Sequence, residues 1–265
     1  MYITSRRTDG FHNLETIFYP VPFTDALEII ENISPLNSNP PVIFSTSGLE
    51  IKGDPNENLC VKAYHLLKKD YPALPLVQMH LHKVVPMGAG LGGGSSDGAY
   101  ALLLLNDKFS LGISSSKLLG YALQLGSDCP FFILNQPCIG KGRGEILSPV
   151  ELNLKGYTLV LVNPGIHVST REAFGSITPQ PPSFPIETFA ALPVEDWKNK
   201  LSNDFEPGVF KKHPSVAQIK SVLLEAGASY ASMSGSGSTV FGLFSKPPLA
   251  IPRFPSNYFV KEVLL

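Results

Sequence analysis

Residues 86 to 96 read Pro-Met-Gly-Ala-Gly-Leu-Gly-Gly-Gly-Ser-Ser, with five glycines, two adjacent hydroxyls and no charge. So few side chains leave a row of backbone N–H groups uncovered. The residues before this run alternate, Val77, Met79 and Leu81 against Gln78, His80 and His82. That period predicts a half-buried strand over 77–83. The apolar residues after it, Asp97 to Leu105, predict a helix starting near Ser95 or Ser96. A glycine bend between a strand and a helix N-terminus suits a phosphate, because the N–H donors converge and the helix dipole favours an anion.

Two commoner glycine motifs are excluded. The run lacks the lysine of G-x-x-x-x-G-K-[ST], so it is not a P-loop of that kind. Gly88 to Gly93 does contain G-x-G-x-x-G. A dinucleotide fingerprint also needs an acidic residue about twenty positions on, closing a second parallel strand. Asp107 lies near that distance but follows a helix pattern. The formal net charge of −1 gives no support to nucleic-acid or membrane-surface binding through bulk electrostatics. Any phosphate recognition is therefore local.

The rest of the chain predicts mixed elements: strands over 16–19, 26–30, 42–45, 159–162 and 240–244, and helices over 58–71, 114–125 and 215–225. Asn58 is placed to cap the first of these helices and Gly126 to end the second. Strands and helices do not alternate regularly, which favours α+β over a doubly wound sheet. At 265 residues there is material for two domains, with a boundary expected near residue 150. Cys60, Cys129 and Cys138 are an odd number without C-x-x-C spacing, which argues against a disulfide framework or zinc site and suits a reducing cytosol. No apolar stretch approaches the ~18 residues of a membrane span, and the N-terminus lacks a signal-peptide pattern. The expectation is a soluble cytoplasmic protein.

Three further segments bear on chemistry. Asp128 sits in Leu-Gly-Ser-Asp-Cys-Pro-Phe-Phe132. It can cap a helix starting near Pro130, or it can orient or deprotonate an acceptor hydroxyl beside a phosphate site. His12 lies in a polar turn next to Phe11. Residues 229–239, Ser-Tyr-Ala-Ser-Met-Ser-Gly-Ser-Gly-Ser-Thr, form a second glycine/serine run that predicts a second backbone cradle.

The glycine run together with the late Ser-Gly-Ser-Gly-Ser-Thr loop resembles the GHMP kinases. Arg7-Thr-Asp-Gly-Phe-His-Asn-Leu14 and residues 125–132 resemble the branch that phosphorylates 4-diphosphocytidyl-2-C-methyl-D-erythritol. The resemblance implies a two-domain fold, with a ribosomal-S5-domain-2-like lobe over 1–150 and an α/β-plait-like lobe over 151–265. It implies transfer of a phosphoryl group from ATP, with Mg2+, to the substrate's 2-hydroxyl. Pro86, Met87, Gly88, Ala89, Gly90, Leu91, Gly92, Gly93, Gly94, Ser95 and Ser96 would cradle ATP, with Ser95 or Ser96 near the β-phosphate or magnesium. Asp128 would be the catalytic carboxylate. Phe11 and Phe174 would sandwich the cytosine, His12 would read its edge, and Gly235 and Gly237 would support the substrate. The expected partner is this small molecule alone, with no nucleic acid or membrane, and the protein is expected to be a monomer or weak homodimer.

One segment departs from the pattern. The family opens with a strand carrying P-x-A-K-x-N-L, whose lysine neighbours the catalytic carboxylate. Here Met1-Tyr-Ile-Thr corresponds to the end of that strand. Met1 is therefore expected to be an internal methionine of a longer chain. Without that lysine the resemblance implies very weak activity and reduced stability. The alternative function is a catalytically impaired or non-catalytic nucleotide-binding relative.

Overall fold

The computed structural model describes residues 1–33, 40–198, 200–248 and 250–265. In chain order the strands are β1 (Tyr2–Arg6), β2 (His12–Phe18), β3 (Ala26–Glu31), β4 (Val42–Gly48), β5 (Val77–Lys83), β6 (Cys138–Lys141), β7 (Ile146–Pro149), β8 (Thr158–Asn163), β9 (Tyr230–Met233), β10 (Val240–Phe244) and β11 (Phe259–Leu264). The α-helices are α1 (Leu59–Asp70), α2 (Gly93–Lys108), α3 (Ser115–Leu125), α4 (Cys129–Leu134), α5 (Thr170–Gly175), α6 (Thr188–Ala191), α7 (Glu206–Lys212) and α8 (Pro214–Glu225).

The chain divides into two compact units, Met1–Phe23 with Gly88–Leu91 and Pro137–Leu265, and Thr24–Met87 with Gly92–Gln136. This interleaving differs from a single boundary near residue 150. Its cause is pairing: β2 hydrogen-bonds to β6 and β6 to β7. The N-terminal hairpin thus joins the unit built by the C-terminal half.

In the second unit β5 lies between β3, antiparallel, and β4, parallel. Its inward residues Val77, Met79 and Leu81 meet Tyr64 and Leu67 of α1 and Leu102 and Leu105 of α2 in one core. β5 coincides with the expected strand. α1 begins one residue after its cap, with the Asn58 side chain accepting from the Cys60 amide at 2.9 Å. Helix α2 starts at Gly93, two residues before the expected Ser95. Gly92 adopts a left-handed φ of 69° and its carbonyl accepts from the Ser96 amide, so the first turn closes there.

The first unit holds two four-stranded sheets, β1-β2-β6-β7 and β11-β8-β10-β9. Every residue of β8 is buried, as its unbroken apolar run requires. Helix α8 buries Val216, Ile219 and Leu223 in the core that includes Val160 and Val162 of β8. Val222, expected inward, is half-buried.

Candidate active site

Two glycines of the early loop have no substitute. Gly90 has φ +76°, and a Cβ there would lie 2.1 Å from the Ser234 carbonyl oxygen. Gly92 has φ +69°, and its Cβ would lie 2.8 Å from Cζ of Phe132. Left-handed φ and close backbone approach both demand glycine. The Ser234 hydroxyl donates to the Gly90 carbonyl at 2.8 Å, and the Thr239 amide donates to Ala89 at 3.2 Å. The late glycine loop, with Gly235 at φ +56° and Gly237 at +91°, is thus fastened to residues 88–91 within the first unit. Pro86 and Met87 lead into the bend, Met87 exposed. Gly93, Gly94, Ser95 and Ser96 form the first turn of α2.

Asp128 precedes α4 but makes no side-chain cap hydrogen bond, its backbone lying at φ −86°, ψ −18° rather than in the extended region. The capping alternative is therefore not realised. Its side chain is accessible to water, yet desolvation by the surrounding protein raises its pKa above the usual value. Next to it, burial pushes the Cys129 thiol up to about 11, and that thiol is hydrogen-bonded with the Ser95 hydroxyl. This contact and the Gly92–Phe132 approach tie the start of α4 to the start of α2. Asp128, the residue before Cys129, thus belongs to a segment held to the start of α2 within one unit.

Lys83, Asp25 and Asp97 form a buried charged cluster at the base of the loop that the sequence motifs do not mark. Lys83 is 2% exposed and pairs with both carboxylates, at 2.8 Å from Asp97 and also with Asp25. Asp25 further accepts the amides of Val84 at 2.5 Å and Val85 at 2.8 Å. Burial alone would raise the Asp25 pKa, but Lys83 and the two amides outweigh it and hold it low. Burial dominates at Asp97, which Lys83 only partly offsets, so it is raised to about 6. The triad grips the chain just before the loop and again at the second turn of α2. The available signal was phase: Lys83 continues the inward series Val77, Met79, Leu81.

In the first unit the His12 ring stacks on Phe174, with centroids 4.7 Å apart and planes at 16°. Phe174 also meets Phe205 edge-on at 4.9 Å. Phe11, 54% exposed, stands outside this stack, with the Arg143 guanidinium 5.1 Å over its ring. The structure thus brings His12, rather than Phe11, onto Phe174. Asn163, closing β8, donates to the hydroxyls of Thr239 at 2.9 Å and Ser238 at 3.3 Å. Among the described residues no disulfide involves Cys60, Cys129 or Cys138, and all three are buried. Among the described residues no helix is long and apolar enough to cross a membrane.

Comparison with known proteins identifies the family. The family model for the GHMP kinases N terminal domain matches residues 58–136, and that for the GHMP kinases C terminal matches residues 187–254. The 4-diphosphocytidyl-2-C-methyl-D-erythritol kinase of Bacteroides fragilis is 53% identical over 92% of this chain and 87% of its own. The protein of the same name from Bacteroides thetaiotaomicron is 51% identical over 95% of this chain and 90% of its own. A crystal structure of 4-(cytidine 5'-diphospho)-2C-methyl-D-erythritol kinase superposes with a TM-score of 0.78 at 30% identity, covering 93% of this chain and 86% of that one. Nothing in these relatives supports the catalytically impaired alternative. With its α+β fold and both family domains, the chain belongs to the GHMP kinases, in the branch of the 4-diphosphocytidyl-2-C-methyl-D-erythritol kinases.

Proposed function

We propose that the chain transfers the γ-phosphoryl group of ATP to the 2-hydroxyl of 4-diphosphocytidyl-2-C-methyl-D-erythritol, with Asp128 handling the hydroxyl proton. The observation that carries this reading is the uncapped Asp128 carboxylate, carried next to Cys129, whose thiol is bonded to Ser95 of the loop helix. Phosphoryl transfer asks for positioning and charge stabilisation more than covalent chemistry. Residues 86–96 supply N–H donors and a helix N-terminus to the phosphates. A cavity of about 230 Å³ in the same unit, walled by Phe44 and Ile51 and rimmed by Lys52 and Asn58, suits the adenine. Leu59, next to Asn58, lies against Gly98 of α2, so this cavity adjoins the loop helix.

Magnesium fits the residues present. The Ser95 and Ser96 hydroxyls and the uncapped Asp128 carboxylate are hard oxygen donors, and an ion that binds phosphate and keeps its waters needs one or two protein ligands. Among the described residues no cluster of three His, Cys, Asp or Glu cages a metal by itself. When bound, the ion neutralises charge across the β- and γ-phosphates.

The pyrimidine is recognised by Phe11 and Phe174 as flanking rings, His12 hydrogen-bonding its edge, with Gly235 and Gly237 supporting the substrate. Phe174 already buttresses the imidazole face-on, which leaves the His12 nitrogens at the ring edge for that contact. His12→Ala is expected to raise the acceptor KM about tenfold, near 1.4 kcal/mol, with kcat little changed. Steady-state assays with the cytidyl substrate and its uridyl analogue check this. Equal turnover of the two by the parent enzyme would refute the base-reading role. Gly90→Ala is expected to weaken ATP binding at least about tenfold, because the Ser234 contact cannot accommodate the methyl. Calorimetry showing parent affinity would contradict that. We place the enzyme in the cytoplasm, whose reducing environment suits three cysteines that form no disulfide among the described residues, as a monomer or weak homodimer, with size-exclusion chromatography as the check.

A further inference from the structure

We propose that Asn203, Phe205 and Glu206 form one positioning element, which holds the late glycine loop against residues 88–91 and sets the Phe174 ring. This rests on reading residues 88–91 as part of the ATP cradle and Phe174 as a wall of the acceptor site. Asn203 is 3% exposed. Its side-chain amide donates to the carbonyls of Met233 and Gly235, both at 2.8 Å, and its oxygen accepts the Phe205 amide at 3.0 Å. Glu206, 8% exposed, accepts from the Ser232 hydroxyl at 3.0 Å and the Met233 amide at 2.8 Å. Lys220 pairs with its other oxygen at 2.6 Å.

These bonds converge on residues 232–235, where the β9–β10 ladder ends at Met233 and Val240. Beyond a ladder end, buried backbone groups need other partners. Two neighbouring polar side chains supply them, and one is a carboxylate whose burial requires its cation and every hydrogen bond. The turn fixed in this way carries Ser234, whose hydroxyl reaches the Gly90 carbonyl at 2.8 Å. Phe205, between the two polar anchors, is buried and meets Phe174 edge-on, at 88°. Phe174 in turn stacks on His12. A single four-residue stretch therefore supports the donor side through Ser234 and the acceptor side through Phe205.

The two branches separate kinetically. Asn203→Asp keeps the shape and the bond from the Phe205 amide, but places an oxygen against two carbonyl oxygens. Ser234→Ala removes only the bond to Gly90 and leaves the buried network whole. Both are expected to lower kcat and raise the ATP KM, Asn203→Asp by about tenfold and Ser234→Ala by about threefold, with the acceptor KM within about twofold. Phe205→Leu is expected to do the converse, raising the acceptor KM about fivefold and leaving the ATP KM within about twofold. Circular dichroism and melting temperature establish that each variant is folded; if Asn203→Asp is not, Ser234→Ala decides the donor branch. Parent values of kcat and ATP KM in Ser234→Ala, or equal shifts of both KM values in Phe205→Leu, would overturn the proposal. A parent enzyme that binds ATP but does not turn over the cytidyl acceptor would count against the substrate reading instead. The affinities of the same variants for a non-hydrolysable ATP analogue then still decide the donor branch.

Discussion

Asp128→Asn is expected to lower kcat by about 10²- to 10⁴-fold while leaving both KM values within about threefold. Asparagine matches the size of the carboxylate and can still donate or accept a hydrogen bond, so positioning survives and only the charge and proton acceptance are lost. The structure allows this separation because the Asp128 side chain caps nothing. A side chain that makes no cap bond can change chemistry without unfolding its helix. The pH dependence follows from the direction of the shift. Desolvation raises the Asp128 pKa, so the active carboxylate is lost as pH falls through that raised value, at a higher pH than an ordinary aspartate would give. The acidic limb of the parent kcat profile should be absent in the variant. For stability the sign is opposite. A carboxyl whose folded pKa is raised binds protons more tightly when folded, so it detracts from stability at pH above its unfolded value. Asp128→Asn is accordingly expected to be at least as stable as the parent at pH 8, by thermal melting.

Lys83→Met has the largest expected effect on stability, about 3–5 kcal/mol at pH 8, because it leaves two buried carboxylates without their cation. Methionine fills much of the same space, so the loss is electrostatic rather than a cavity. In the variant the forces holding Asp25 low are weakened and Asp97 loses the cation that partly offsets its burial. Both carboxyls then bind protons more tightly in the folded protein than in the unfolded one, and stability falls as pH rises. The deficit should therefore shrink markedly between pH 8 and pH 5. Urea melts at the two pH values check it; a deficit independent of pH would mean that packing, not charge, is what Lys83 provides. Because the triad grips both ends of the glycine loop, weakened ATP binding should accompany the loss.

Local periodicity made the second unit easy to read. The alternation of 77–83, the Asn58 cap and the serine start of α3 are short-range signals, and each element forms where its residues specify. α2 starts at Gly93 rather than near Ser95 because a left-handed glycine at 92 closes the first turn, a backbone conformation that the residue pattern does not specify. The division into units was not legible, because pairing of β2 with β6 joins residues more than a hundred positions apart and no local pattern records it. The same limit hid Asn203 and Glu206, whose partners lie about thirty residues away in a separate loop. Lys83 was legible in principle: a lysine in the inward phase of a strand needs buried partners, though its phase alone could not name Asp25 and Asp97. Phe11, His12 and Phe174 were singled out together through family resemblance, and the structure stacks only the last two.

A single-turnover reaction followed by phosphorus NMR tests the central claim most directly. Enzyme in excess over the cytidyl substrate, with ATP and magnesium, should yield one new phosphomonoester at the 2-hydroxyl and one equivalent of ADP, and Asp128→Asn should slow its appearance at least about a hundredfold. ATP hydrolysis without a phosphorylated acceptor, or the same rate in the variant, would contradict the account.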